Sequence, residues 1–221
     1  YIQPDIIHNE PEHTEMNLSS SLCMLRAKAL EKLSIDQRAL WWFEKALIFD
    51  CKNIQAFDSI IKRRLCTVEK LRLFLDKELH FKRTEEWIRT YYECKLNEIA
   101  TEFESLCKMD KLLSEHKENQ LLSQSDDIRI IKANCLLNLS LFRESYALST
   151  EMKLSDNYNI EGLISYIVCL VELGKQSELY KVSHDLICTY PDLAISWFSV
   201  GCYYYMTRRY EISRRFLHKA T

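Results

Sequence analysis

Glycine and proline are almost missing from this chain: three of each occur in 221 residues, where average usage is about 7% and 5%. The three glycines, Gly162, Gly174 and Gly201, all fall in the last third. No GxGxxG or GxxxxGK[ST] phosphate loop can be written anywhere, and a fold of many tight hairpins is excluded with it. A long apolar run is missing too. The longest nearly apolar stretch, Gly162 to Leu173, holds Ser165 and Glu172 and falls well short of the roughly 20 residues of a spanning helix. Charge of one sign is also lacking. A formal net charge of −2 gives no general attraction to nucleic acid or to an anionic membrane.

Closely spaced metal ligands are absent as well. The nine cysteines are scattered, and no CxxC half-site can be found among them. Their odd number, without a secretion signal, argues against a disulfide framework. Most lie among apolar residues in helical segments, so we expect reduced, buried, inert thiols and a nuclear and cytoplasmic location. None of the six histidines forms HExxH or a metal pair four apart. We assign no catalytic, metal or cofactor residue. One Cys–His pair, Cys188 with His184, lies a helical turn apart. It lacks an orienting third group, because Asp185 points to a different face.

What remains is an all-α pattern with a repeat in it. With Ala194 as position 1, Trp197 sits at 4, Val200 at 7, Gly201 at 8, Tyr204 at 11, Ser213 at 20, Leu217 at 24 and Ala220 at 27. Pro191 sits at 32 of the preceding unit. That is the helix–turn–helix signature of the 34-residue tetratricopeptide (TPR) repeat. Such a unit buries its core only by stacking on neighbours. The fold expected is therefore a TPR-type α-solenoid, a right-handed superhelix of antiparallel helix pairs.

The same register recurs upstream. From Ser20, Ala27 takes position 8, Leu30 11, Ala39 20, Phe43 24 and Ala46 27. Small residues at 8 and 20 let the two helices approach closely, and larger ones at 11 and 24 fill the flanking space. From Asp126, expected as a helix N-cap, Ala133 takes 8, Leu136 11 and Ser145 20. From Ile160, Leu163 takes 4 and Leu170 11, but Ile167, Leu179 and Leu186 replace small residues at 8, 20 and 27, so those two helices should cross less tightly.

The organisation expected is a partly disordered lead-in over 1–17 and a solenoid over 18–221. Its repeats are about 20–53, 54–87 (irregular), 88–125 (irregular), 126–159, 160–193 and 194–221. Glu85 to about Leu113 reads as one longer helical stretch. Lys108 to Asp127 is the most polar segment and reads as a variable loop. The chain starts without Met and stops just inside a repeat boundary, which reads as a fragment of a longer protein.

Closer likeness is carried by particular blocks. ELYKVSHDLICTYPDLAISWFSVGCYYYM and RRFLHKAT, within Glu178 to Thr221, resemble subunit six of the anaphase-promoting complex, whose metazoan members carry YP, SWFAVGCYYL and ARRYLSKAT in this order. SSLCMLRAKALEKL, ALWWFEKALIFD and AFDSI, from Ser20 to Ile60, are similar to that family's SSICLLRGK, YKEAL and FEAFDLL elements. EEWIRTYYECKL resembles its short acidic and aromatic helix. The resemblance spans nearly all of Ser20 to Thr221, least in the polar loop. It implies a non-catalytic scaffold of an E3 ubiquitin ligase of mitotic progression. Partners would be the complex's other subunits, with homodimerisation in the full-length family. It places this chain inside the N-terminal half of such a protein.

Two other readings compete. Arg208, Arg209, Arg214 and Arg215 lie among tyrosines, a mixture that single-strand binders use. Tyr204 is a core position, however, and we read these arginines as a solvated helix face or a candidate partner contact rather than a nucleic-acid site. A TPR adaptor of another assembly, holding a peptide or helix in its groove, is the alternative. For a carboxylate clamp, positions 5 and 9 supply only Lys28 and Asn134. The others are Met24, Ile130, Ile164, Val168, Phe198 and Cys202, an apolar face suited to docking a helix or subunit.

Overall fold

The computed structural model describes residues 17–82, 85–100, 103–115, 122–155 and 159–221. The lead-in expected over 1–17 lies almost wholly outside them. Among the described residues there are twelve α-helices and no strand. They are α1 (Leu18–Lys32), α2 (Asp36–Phe49), α3 (Ile54–Lys62), α4 (Val68–Lys77), α5 (Glu86–Ile99), α6 (Phe103–Glu115), α7 (Asp126–Asn138), α8 (Phe142–Ser155), α9 (Ile160–Glu172), α10 (Gln176–Thr189), α11 (Ala194–Met206) and α12 (Tyr210–Lys219). The chain divides into two compact units, one ending at Ile88 and the other starting at Arg89.

Short polar side chains start many of these helices. The side chains of Asn17, Asn53, Thr67, Ser125 and Asn159 each accept a bond from a backbone N–H in the first turn, filling one of the donors a helix leaves open. For α7 the cap is Ser125, not Asp126. The serine hydroxyl takes the Ile128 N–H at 3.4 Å, which leaves Asp126 and Asp127 inside the first turn, where carboxylates oppose the helix dipole favourably.

One turn is built five times. Ser34, Arg64, Ser140, Gly174 and Arg208 all have φ between 50° and 71°. In each case the next residue's N–H reaches back to the carbonyl five residues earlier: Ile35 to Leu30, Leu65 to Ile60, Leu141 to Leu136, Lys175 to Leu170 and Arg209 to Tyr204. The left-handed residue itself bonds three back, as Ser140 does to Leu137. This is the Schellman closure of a helix C-terminus. Ser140, Gly174 and Arg208 recur every 34 residues, which fixes the phase of the last three repeats. Arg64, however, follows Ser34 by only 30 residues. The unit containing α3 is thus phased from residue 50, four earlier than a count from 54. The turn Asp50–Asn53 replaces the first turn of its first helix, leaving α3 nine residues long.

The middle of the chain corrects two further expectations. The stretch from Glu85 to Leu113 is two helices, α5 and α6, rather than one. The polar loop is also shorter than Lys108–Asp127. Helix α6 continues to Glu115 because Met109 and Leu113 are buried one turn apart within an otherwise charged segment, and Asp126 already belongs to α7. Positions 116–121 lie outside the described residues.

Within the second unit, consecutive helices pack antiparallel in pairs. Pairs α7–α8 and α11–α12 approach closely, whereas α9 and α10 stay farther apart. Ile167 and Leu179 at the crossing are both fully buried, so larger side chains fill the wider gap. Leu163, Tyr166, Leu170, Val182, Leu186 and Ile195 complete that core.

Candidate functional site

The repeat signature forms the joints of the fold. Ala27, Ala39, Phe43 and Ala46 have no exposed surface, and Leu30 is half-buried beside them. Ala133, Leu136, Leu163 and Leu170 are buried. Ser145 donates to the Ala133 carbonyl at 2.9 Å, and Ser213 does the same to Gly201 at 2.8 Å. Positions 8 and 20 thus touch through a hydroxyl and a main-chain oxygen. Trp197 donates its indole N–H to the carbonyl of exposed Pro191 at 2.8 Å. Tyr204 stacks on Phe216 with centroids 5.5 Å apart, and Trp197 stacks on the same ring at 5.9 Å. Phe216, at position 23, was not among the residues singled out by spacing, yet it joins two that were. Leu217 and Ala220 are half-buried.

A polar ladder crosses three helices of the second unit. Asn134 donates to the Glu98 carboxylate at 2.8 Å, and Asn138 to the Glu98 carbonyl at 2.9 Å. Ser165 donates to the side-chain oxygen of Asn134. Asn134 is therefore committed to linking α5, α7 and α9. Of the two candidates for a carboxylate clamp, only Lys28 is exposed, 3.5 Å from Gln55. On the same first-helix face, Met24 and Ile130 are buried, whereas Ile164 is exposed and Val168, Phe198 and Cys202 are half-buried.

A second cluster bridges α8, α9 and α10. The Tyr146 hydroxyl donates to Glu178 at 2.8 Å, and Lys175 pairs with Glu178 at 3.2 Å while lying 3.7 Å over the Tyr146 ring. Tyr146 stacks on Tyr166, and Lys153 covers that ring at 4.9 Å. The Tyr146 hydrogen bond holds the Glu178 carboxyl below its ordinary value. Burial pushes the Tyr166 phenol up and the Lys153 ammonium down. In the first unit, Glu85 meets Cys51 at 3.3 Å and Lys52 at 3.1 Å. Burial, reinforced by the hydrogen bond to Glu85, pushes the Cys51 thiol up to about 12.

The cysteines are less uniformly buried than expected. Cys23, Cys94, Cys135 and Cys169 are buried and Cys51, Cys66 and Cys202 half-buried, but Cys107 and Cys188 are exposed, because they occupy outward helical positions. Cys188 Sγ lies 3.8 Å from His184 Nδ1, with both side chains on an open surface. Arg208, Arg209, Arg214 and Arg215 are all exposed. Arg214 and Arg215 border a hollow of about 720 Å³ beside α12 that Tyr205, Tyr210 and His218 also line.

This arrangement of jointed helix pairs has known counterparts. The chain is 28% identical over 216 residues to anaphase-promoting complex subunit 6 of Arabidopsis thaliana. It is 30% identical over 209 residues to anaphase-promoting complex subunit cut9 of Schizosaccharomyces pombe. Those alignments cover 95% and 93% of this chain. The chain is a homologue of anaphase-promoting complex subunit 6. A chain in the crystal structure of the APC/C hetero-tetramer Cut9–Hcn1 superposes with a TM-score of 0.78 at 29% identity, over 91% of this chain and 39% of that one. The likeness to the subunit-six family thus extends from sequence to fold, and the architecture is a TPR α-solenoid. This chain spans only 40% and 31% of the length of the two curated subunit-six relatives. No protein-family model matches the chain.

Proposed function

We propose that this chain is a non-catalytic scaffold segment of the anaphase-promoting complex, an E3 ubiquitin ligase of mitotic progression. Its partners are other subunits of that complex, and it works in the nucleus and cytoplasm. The observation that carries the reading is the match to subunit-six proteins over nearly the whole chain, in sequence and in fold together. The mechanism is geometric. Joints at Ala27–Ala39, Ala133–Ser145 and Gly201–Ser213 fix each helix pair, and each stacked pair then presents its outward side chains at a set spacing. The Cys188–His184 pair sits on an open face, whereas an activated thiol calls for an electropositive microenvironment and an orienting third group.

The test is to purify the tagged full-length protein from mitotic cells and assay the eluate for ubiquitin transfer to a cyclin. Activity above a mock purification is the expected result. An inactive eluate holding unrelated partners would leave the fold standing and remove the assignment.

A further inference from the structure

The repeat register separates side chains that any neighbour would cover from those that face outward regardless. At position 22 the last three repeats carry Ala147, Lys181 and Arg215, and all three are exposed although a preceding helix pair flanks each of them. The same position in the first repeat is Trp41, 49% exposed. An indole in a place where the last three repeats put alanine, lysine and arginine is a departure that stacking does not explain.

Its surroundings hold it ready. Trp41 meets Trp42 edge-on, with ring centroids 4.7 Å apart. Lys45 lies 5.5 Å over Trp41, and Arg26 lies 4.1 Å over Trp42. Arg38, one turn before Trp41 on α2, is exposed. No ion pair holds Arg26, Arg38 or Lys45 among the described residues. The acidic groups of α2 are Asp36, at its first turn, and Glu44, which pairs with Lys70 at 3.7 Å. Basic side chains also outnumber acidic ones between residues 17 and 88.

We propose that the Trp41 face of α2 docks an acidic segment of a partner protein, with one large apolar side chain of that segment seated on the indole and its carboxylates on Arg38 and Lys45. A half-exposed indole with Lys45 over its ring and Arg38 one turn away combines the aromatic and basic side chains enriched at interface hot spots. Single-stranded nucleic acid is disfavoured, because successive bases need a row of adjacent stacking platforms, whereas the exposed rings of α2, Trp41 and Phe49, stand about two helical turns apart. The inference stands whether or not the chain sits in the anaphase-promoting complex.

Fluorescence anisotropy decides it, using a labelled peptide of alternating Glu and Leu, its Lys–Leu counterpart and a single-stranded oligothymidylate. Saturable binding of the acidic peptide alone is expected, weakened about tenfold or more by Trp41→Ala and by Lys45→Glu. Lys181→Ala, at the same position of another repeat, should leave the affinity unchanged. Circular dichroism checks the helix content, and if Trp41→Ala loses it, Lys45→Glu carries the test. No saturable binding of the acidic peptide, equal affinity in the folded variants, or tighter binding of the oligonucleotide would each overturn the proposal.

Discussion

A β-carbon placed on Gly201 would stand 2.6 Å from Leu217 Cδ2 and 3.2 Å from the Leu217 backbone nitrogen. Helices α11 and α12 therefore meet at a point with no room for even one methyl group. The side chain of Leu217 can rotate away, but its backbone nitrogen cannot. Gly201→Ala should destabilise the chain by about 1–3 kcal/mol, in the range of overpacking, and Gly201→Leu by more. Chemical denaturation of the two variants checks this, and an unchanged midpoint in Gly201→Leu would refute the assigned register.

The left-handed turns give a second prediction. Gly174 has φ +71° and open space around it, so only the backbone conformation resists a side chain there. Gly174→Ala should cost about 1 kcal/mol. The reverse change at Ser140, with φ 60°, should gain roughly half a kcal/mol. The two effects can be read from shifts in the thermal midpoint.

Acid should loosen the junction of α8 and α10. Glu178 titrates below its ordinary value in the folded chain, so its contribution is complete above the unfolded value near 4.5. It is lost as pH falls through the lowered folded value. Tyr146→Phe should cost about 1 kcal/mol at neutral pH, since Glu178 is partly solvated. It should also flatten the fall in stability below pH 4.5. An unaltered acid limb in a pH series of urea titrations would rule the bond out as its source.

Thiol chemistry should sort the cysteines by position. Cys107 and Cys188 are exposed and should be alkylated first in a brief iodoacetamide pulse. Cys94 should be last, because it is fully buried and burial pushes its thiol up to about 12. Mass spectrometry of the quenched digest gives the order directly.

Much of this was readable from spacing. Small residues at helix crossings leave a periodic trace, so Ala27, Ala39, Ala133, Gly201 and Ser213 announce the joints they make. The turns leave no such trace: Schellman closure needs a left-handed residue, and serine or arginine takes that place in four of the five turns. The short phase of the second unit was hidden for that reason, and Arg64 reveals it only through φ. Composition misled between Lys108 and Asp127, where abundant charge masked the buried pair Met109 and Leu113. Contacts such as Tyr146 with Glu178 join different repeats, and no periodicity marks them.

The hydroxyls that tie helix to helix have a consequence of their own. Ser20, Ser145, Ser196 and Ser213 all donate to main-chain carbonyls, those of Ala46, Ala133, Leu186 and Gly201 among them. A carbonyl is present whatever residue bears it, so the opposite helix can change identity without losing the bond, provided the residue there leaves room. Each joint is written on one side only. A substitution on the carbonyl side can thus be accepted without a matching change at the serine.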